Sequence, residues 1–160
     1  MSTHRFNLPA LTLPETMKGS PGRFSDITNY KEWFATDEVT NIIAQHVPDM
    51  YMDDSVVMIQ EQDATLNDRI YSLGSRWRLR YIIEPAGLTI QTHNLSDDHV
   101  TQSYTPEAHT WLLQDAHSRV SNTNINGTVT SILVKKEDNI LLEAEKLWIR
   151  DHCDGEFSNT

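Results

Sequence analysis

The sequence predicts an α+β fold in which a curved antiparallel sheet of about six strands, open-barrel-like, packs on N-terminal helices. Three observations carry this expectation. Apolar residues between 30 and 47 recur at helical spacing, the period shortens to two from residue 54 onward, and Pro48, Pro85, Gly87 and Pro106 fall where the pattern breaks. With 160 residues one domain is expected. It is placed at 23–151, after an extended arm at 1–22 and before a polar tail at 152–160. Pro9, Pro14, Gly19, Pro21 and Gly22 interrupt the arm, and Leu8, Leu11 and Leu13 give it a means of docking.

Tyr30, Trp33 and Phe34 stand at i, i+3 and i+4 and predict helical turns. Val39, Ile42, Ile43, His46 and Val47 continue the pattern, with Thr36 as N-cap, Asp37 and Glu38 at the positive helix end, and Pro48 as the stop. Asp54 to Asp63 reads as a strand covered on both faces. Arg69 to Glu84 reads as one long strand that bends at Gly74. Tyr71, Leu73, Trp77, Leu79, Tyr81 and Ile83 share one of its faces; Ser72, Arg76, Arg78, Arg80 and Glu84 share the other. Strands are expected at Gly87–Asn94 and His99–Tyr104. Thr105-Pro106 then has the form of a helix start, which favours a helix to about Arg119 over a strand around Trp111. Thr128–Lys136 and Ile140–Arg150 fit a closing hairpin, with Ile132 opposite Ala144 and Val134 opposite Leu142.

Composition limits function. Asp and Glu number 23 against 13 Lys and Arg, a formal charge of -10. Polyanion binding needs a positive surface field, so neither nucleic acid nor an anionic membrane is an expected partner. No run approaches the ~20 apolar residues of a membrane span, the N-terminus lacks a signal-peptide core, and the lone Cys153 fits a reducing compartment. A cytoplasmic location is therefore expected, and the two glycosylation sequons at Asn94 and Asn126 carry no weight.

Candidate chemistry follows from strand register. A hairpin loop at Glu84-Pro85-Ala86-Gly87 pairs Ile83 with Leu88, Tyr81 with Ile90 and Arg78 with His93, and the next loop pairs His93 with His99. Arg78, His93 and His99 then form one row, with Arg76 and Arg80 on the same side. The bland reading leaves this face wet, with Trp77, Leu79 and Tyr81 packed on helices. The functional reading makes it concave: Arg76, Arg78 and Arg80 hold an organic anion, His93 and His99 exchange protons, and Tyr71, Trp77 and Tyr81 form the adjoining wall. A cavity on the aromatic side would instead favour Tyr71, Tyr81 and His46. Such a protein would bind an anionic or carbonyl-bearing molecule and, if an enzyme, act as a cofactor-free lyase or isomerase of dehydratase or cyclase type, with no metal. A homodimer is left open.

Other features read as structural. Tyr51-Met52-Asp53-Asp54 resembles the metal-binding tetrapeptide of reverse transcriptases, but no second carboxylate strand or basic cleft accompanies it. His109 and His117, eight residues apart, would lie about 12 Å apart on a helix, too far for one metal. No glycine-rich phosphate loop, serine elbow or zinc spacing occurs. The competing class is an acidic interaction module such as a secretion-type chaperone, an inhibitor or an assembly factor.

Overall fold

A computed structural model of the chain describes residues 3–22, 30–63, 71–72, 77–114, 119–138 and 140–154. Among the described residues, eleven strands form two antiparallel sheets. β1 (Thr3–Phe6), β2 (Lys18–Pro21), β3 (Tyr30–Ala35), β4 (Ser55–Gln62), β6 (Arg78–Glu84), β9 (Thr110–Gln114) and β11 (Val129–Lys136) make the larger one, in the order β1-β9-β6-β11-β4-β3-β2. β5 (Tyr71–Ser72), β7 (Thr89–His93), β8 (Val100–Tyr104) and β10 (Arg119–Thr123) make the smaller, in the order β5-β10-β7-β8. The helices are α1 (Asp37–Ile43), α2 (Asp49–Met52) and α3 (Glu143–His152).

Both faces of the larger sheet are covered, and strand alternation assigns each residue to one of them. Trp77, Leu79, Tyr81, Trp111, Leu113, Ile132 and Val134 pack with Val39 and Ile43 of α1, Tyr51 of α2 and Ile149 of α3. The N-terminal segment between β1 and β2 lies on this outer face: Leu11 is buried there, its amide donates to the Tyr81 hydroxyl at 3.0 Å, and Trp111 Nε1 donates to the Pro9 carbonyl at 3.1 Å. The inner face meets the smaller sheet. Ile82, Leu112 and Val129 from one side pack with Leu88, Ile90 and Val120 from the other, so the two sheets enclose an apolar floor.

The sheets do not merge into one continuous ladder; side chains bridge them. Gln102 of β8 clasps the backbone of Thr3 of β1: its Oε1 accepts from the Thr3 amide at 3.1 Å and its Nε2 donates to the Thr3 carbonyl at 3.0 Å. Across the enclosure, Asn122 Nδ2 of β10 donates to Gln62 Oε1 of β4 at 3.1 Å.

Several expected elements are corrected. Tyr30, Trp33 and Phe34 lie on strand β3, because pairing with β4 from Tyr30↔Gln62 to Phe34↔Met58 outweighs their helical spacing. Of the long strand expected at Arg69–Glu84, β5 belongs to the smaller sheet and β6 to the larger; the residues between them, Gly74 and Arg76 included, lie outside the described residues. The segment after Thr105-Pro106 is strand β9, with Trp111, Leu112 and Leu113 all buried. The expected last strand is helix α3, the longest helix among the described residues, where the helices upstream of it are the short α1 and α2. The α1 helix, β4, β7, β8 and β11 stand close to their expected positions.

Lys136 explains α3. It ends β11 on the helix-covered face, 1% exposed, and its ammonium meets Glu145 Oε2 at 2.7 Å and Asp54 Oδ2 at 3.6 Å. Glu145 Oε1 accepts the Leu142 amide at 3.0 Å, capping the helix start with the same carboxylate. Breaking a buried pair leaves an uncompensated charge and costs about 3 to 5 kcal/mol, whereas removing both charges is often neutral. Glu145→Gln is therefore expected to lower the unfolding free energy by about 3 kcal/mol in urea denaturation, and Lys136→Met with Glu145→Met to recover most of it.

Candidate functional site

The inner face of the larger sheet is apolar at the floor and polar elsewhere. On β6 the inward positions are Arg78, Arg80 and Ile82, since Leu79 and Tyr81 face the helices. Pairing extends these positions into rows. Arg78 stands between Gln114 of β9 and Lys135 of β11, and Arg80 between Leu112 and Leu133. The next row runs from Ile82 through Ser131 and Gln60 to Glu32.

Arg80 is 5% exposed, and Nε donates to Ser131 Oγ at 3.1 Å. Burial pushes its pKa down to about 10, with Arg78 adding to the shift and Tyr30 opposing it, so the guanidinium is still cationic at neutral pH. Among the described residues no carboxylate oxygen lies within 4.0 Å of it. Toward β3 a polar chain continues: Gln60 Nε2 donates to the Tyr30 hydroxyl, which donates to Glu32 Oε2 at 3.0 Å. Burial, followed by the Glu32 charge, pushes the Tyr30 phenol well above its ordinary range, so it stays protonated as a donor.

The predicted site residues divide. Arg78 and Arg80 share the enclosed face, and the wet-face reading of that side is corrected: pairing with β9 and β11 and coverage by the smaller sheet take it out of water. Trp77 and Tyr81 belong to the opposite, helix-covered face, as the sequence placed them; they do not line the enclosure. The Tyr71 backbone pairs with Val120 in the smaller sheet, and Arg76 is outside the described residues.

The Arg78–His93–His99 row does not form. β6 pairs with β9 and β11, whereas β7 pairs with β10 and β8, so Arg78 and His93 lie in different sheets. His93 faces Val100 across the ladder, not His99, owing to an irregularity after Thr92. Ile90 and Val120 point inward, and alternation turns His93 and Ser121 outward. Both His93 nitrogens are engaged, Nδ1 with the Asp98 carbonyl at 2.8 Å and Nε2 with Ser121 Oγ at 2.7 Å. His99 is largely exposed in the loop before β8, with Nδ1 2.5 Å from Asp97 Oδ1. The sequence reading missed Tyr30, Glu32, Gln60 and Ser131. The alternation of Tyr30 and Glu32 against Trp33 and Ala35 was the available signal, obscured by the helical spacing of the aromatics.

No family model matches the chain, and no curated protein sequence does. Solved structures do resemble it in fold. The hydroxypropylphosphonic acid epoxidase from S. wedmorenis superposes with a TM-score of 0.50 at 8% identity, over 78% of this chain and 57% of that one. HEPD of Streptomyces albus, with 2-hydroxyethylphosphonate and Fe(II) bound, gives 0.52 at 7% identity, over 89% of this chain and 30% of that one. The chain thus spans less than two thirds of either. What is shared is the fold, a sheet-rich α+β architecture of mostly antiparallel strands.

The Fe(II) of the second structure poses a test for the residues here. Ferrous centres of this general kind take histidine and carboxylate ligands with open positions. Among the described residues no group of three His, Cys, Asp or Glu comes together. Leu112 and Leu133 flank Arg80, the described inward positions beyond them include Gln114, Ser131, Gln60 and one carboxylate, Glu32, and two guanidiniums oppose a bound metal cation beside them. These residues do not fit such a centre.

A buried guanidinium without a counter-charge is destabilising until something supplies one. Arg80→Met is expected to raise the unfolding free energy of the ligand-free protein by about 1 to 2 kcal/mol in urea denaturation, whereas an equal loss would show that Arg80 is held for stability alone.

Proposed function

We propose that this protein binds a small organic anion between its two sheets, with Arg78 and Arg80 as the cationic pole. The single observation that carries this reading is the burial of Arg80 on the enclosed face with no carboxylate in ion-pair range among the described residues. A carboxylate or similar planar oxyanion matches the fork of a guanidinium. Apolar Ile82, Leu112 and Val129 below it suit a short hydrocarbon body. The two solved structures support the reading as enclosures for small hydroxyphosphonate-type molecules, as their names describe.

In its catalytic form the reading is cofactor-free lyase or isomerase chemistry. The acid–base groups beside the arginines are then the Glu32 carboxylate and the Tyr30 phenol, because His93 and His99 stand elsewhere. An acidic interaction module is the second reading, favoured by Ile140, Leu142 and Leu147 on and before α3, each more than half exposed.

The test is calorimetric or NMR titration with a panel of small carboxylates. Binding with contacts on β6 and β11 amides is expected, and Arg80→Gln is expected to weaken it about 30-fold or more, the equivalent of ~2 kcal/mol for a lost buried charge partner. Equal affinity for the variant would remove Arg80 from the site.

A further inference from the structure

The same enclosure has a second pole. Glu32, on β3, is 3% exposed and faces inward in the row of Ser131 and Gln60. Its Oε2 receives the Tyr30 hydroxyl at 3.0 Å and Gln60 Nε2 at 3.4 Å. Glycine at residue 22 leaves room beside this carboxylate: a Cβ there would come within 2.8 Å of Glu32 Oε1 and of Met58 Cε. No Lys, Arg or His nitrogen of the described residues lies within 4.0 Å of that carboxylate. The interior therefore holds a carboxylate and a guanidinium that do not pair with each other, with the Tyr30 phenol donating to the carboxylate.

Buried opposite charges in direct contact largely offset each other's desolvation; held apart, each still needs a partner. The facing sheet offers an acceptor as well. Asn122 Oδ1, on the inward side of the smaller sheet, is buried with no hydrogen-bond partner, while its Nδ2 is committed to Gln62, whose strand position pairs with Tyr30, one row from that of Glu32. An unmet acceptor on one sheet and an unpaired carboxylate on the other call for a ligand group rich in donors and positive in charge, and an ammonium carries three N–H donors.

We propose that the ligand is a small zwitterion, an amino acid or related aminocarboxylate, whose carboxylate meets Arg80 and whose ammonium meets Glu32 and Asn122. This rests on the anion reading of Arg78 and Arg80 and adds the opposite charge to it. Such a ligand satisfies both poles at once, whereas a plain carboxylate leaves Glu32 and Asn122 as they are, and a hydroxy acid supplies a donor without a charge.

The experiment compares matched probes by calorimetry on the full chain: glycine, β-alanine and γ-aminobutyrate against acetate, propionate, butyrate and lactate. At least one aminocarboxylate is expected to bind tenfold or more tightly than the carboxylate of the same length and than lactate. Glu32→Gln keeps the shape and the acceptor for Tyr30, and is expected to abolish that preference while changing the affinity for the plain carboxylate less than threefold. Arg80→Gln is expected to weaken both classes. Plain carboxylates or lactate binding as tightly as the aminocarboxylates would overturn the zwitterion while leaving the anion site standing. So would a preference that survives Glu32→Gln. If no probe of either class binds, the anion reading fails and the zwitterion with it. Should Glu32→Gln fail to fold, as read by its thermal transition, the wild-type ranking of the matched pairs decides the proposal by itself.

Discussion

Strand β6 is buried on both faces, and the rest of the arrangement is organised around that constraint. Side chains of a strand alternate, so a segment reading Trp77, Arg78, Leu79, Arg80, Tyr81 must send its aromatics one way and its guanidiniums the other. Helices and the N-terminal arm claim the aromatic side. Once the smaller sheet closes over the opposite side, the arginines are carried indoors with it. Hydrogen bonding of Arg80 to Ser131 orients the group without neutralising it. The enclosure thus differs from an ordinary core: its floor is apolar, but it also holds the Arg80 guanidinium, which no carboxylate of the described residues meets within 4.0 Å.

Much of this was legible locally and little of it globally. The face carrying Trp77, Leu79 and Tyr81 was correctly assigned to the helices, because alternation within one strand is a property of neighbouring residues. Which strand lies beside which is set by contacts distant in sequence. Ile83 and Leu88 flank a plausible hairpin loop, yet β6 crosses to β9 and β11, and the proposed histidine row dissolves. Three segments also misled through ambiguous periods. Trp111, Leu112 and Leu113 are all buried, and a strand covered on both faces shows no period of two. Ala144 and Leu142 fit a strand register as well as a helix start, and the decisive requirement, a carboxylate for buried Lys136, becomes visible only in three dimensions. Tyr30 and Glu32 were lost to the helical spacing of Trp33 and Phe34.

A shared fold does not carry shared chemistry. The phosphonate enzymes that resemble this chain in architecture differ from it at nine or more positions in ten, and no group of three His, Cys, Asp or Glu comes together among the described residues to serve as a ferrous centre's ligands. What the architecture contributes is general: two sheets facing each other, a sealed apolar end, and inward side chains fixed by rigid ladders rather than by loops. The identity of those side chains decides what is held.

The Gln102 clasp on Thr3 has a mechanical consequence. Within each sheet, neighbouring strands are joined by ladders that must part cooperatively, but along this seam the two sheets are joined by one amide making two hydrogen bonds. Net, such bonds are worth about 1 kcal/mol each. The bridge at Asn122–Gln62 is a single hydrogen bond of the same kind. Parting either bridge breaks one or two hydrogen bonds, whereas parting two strands breaks a whole ladder, so the relative placement of the sheets is held less firmly by these side chains than the strands are held within each sheet.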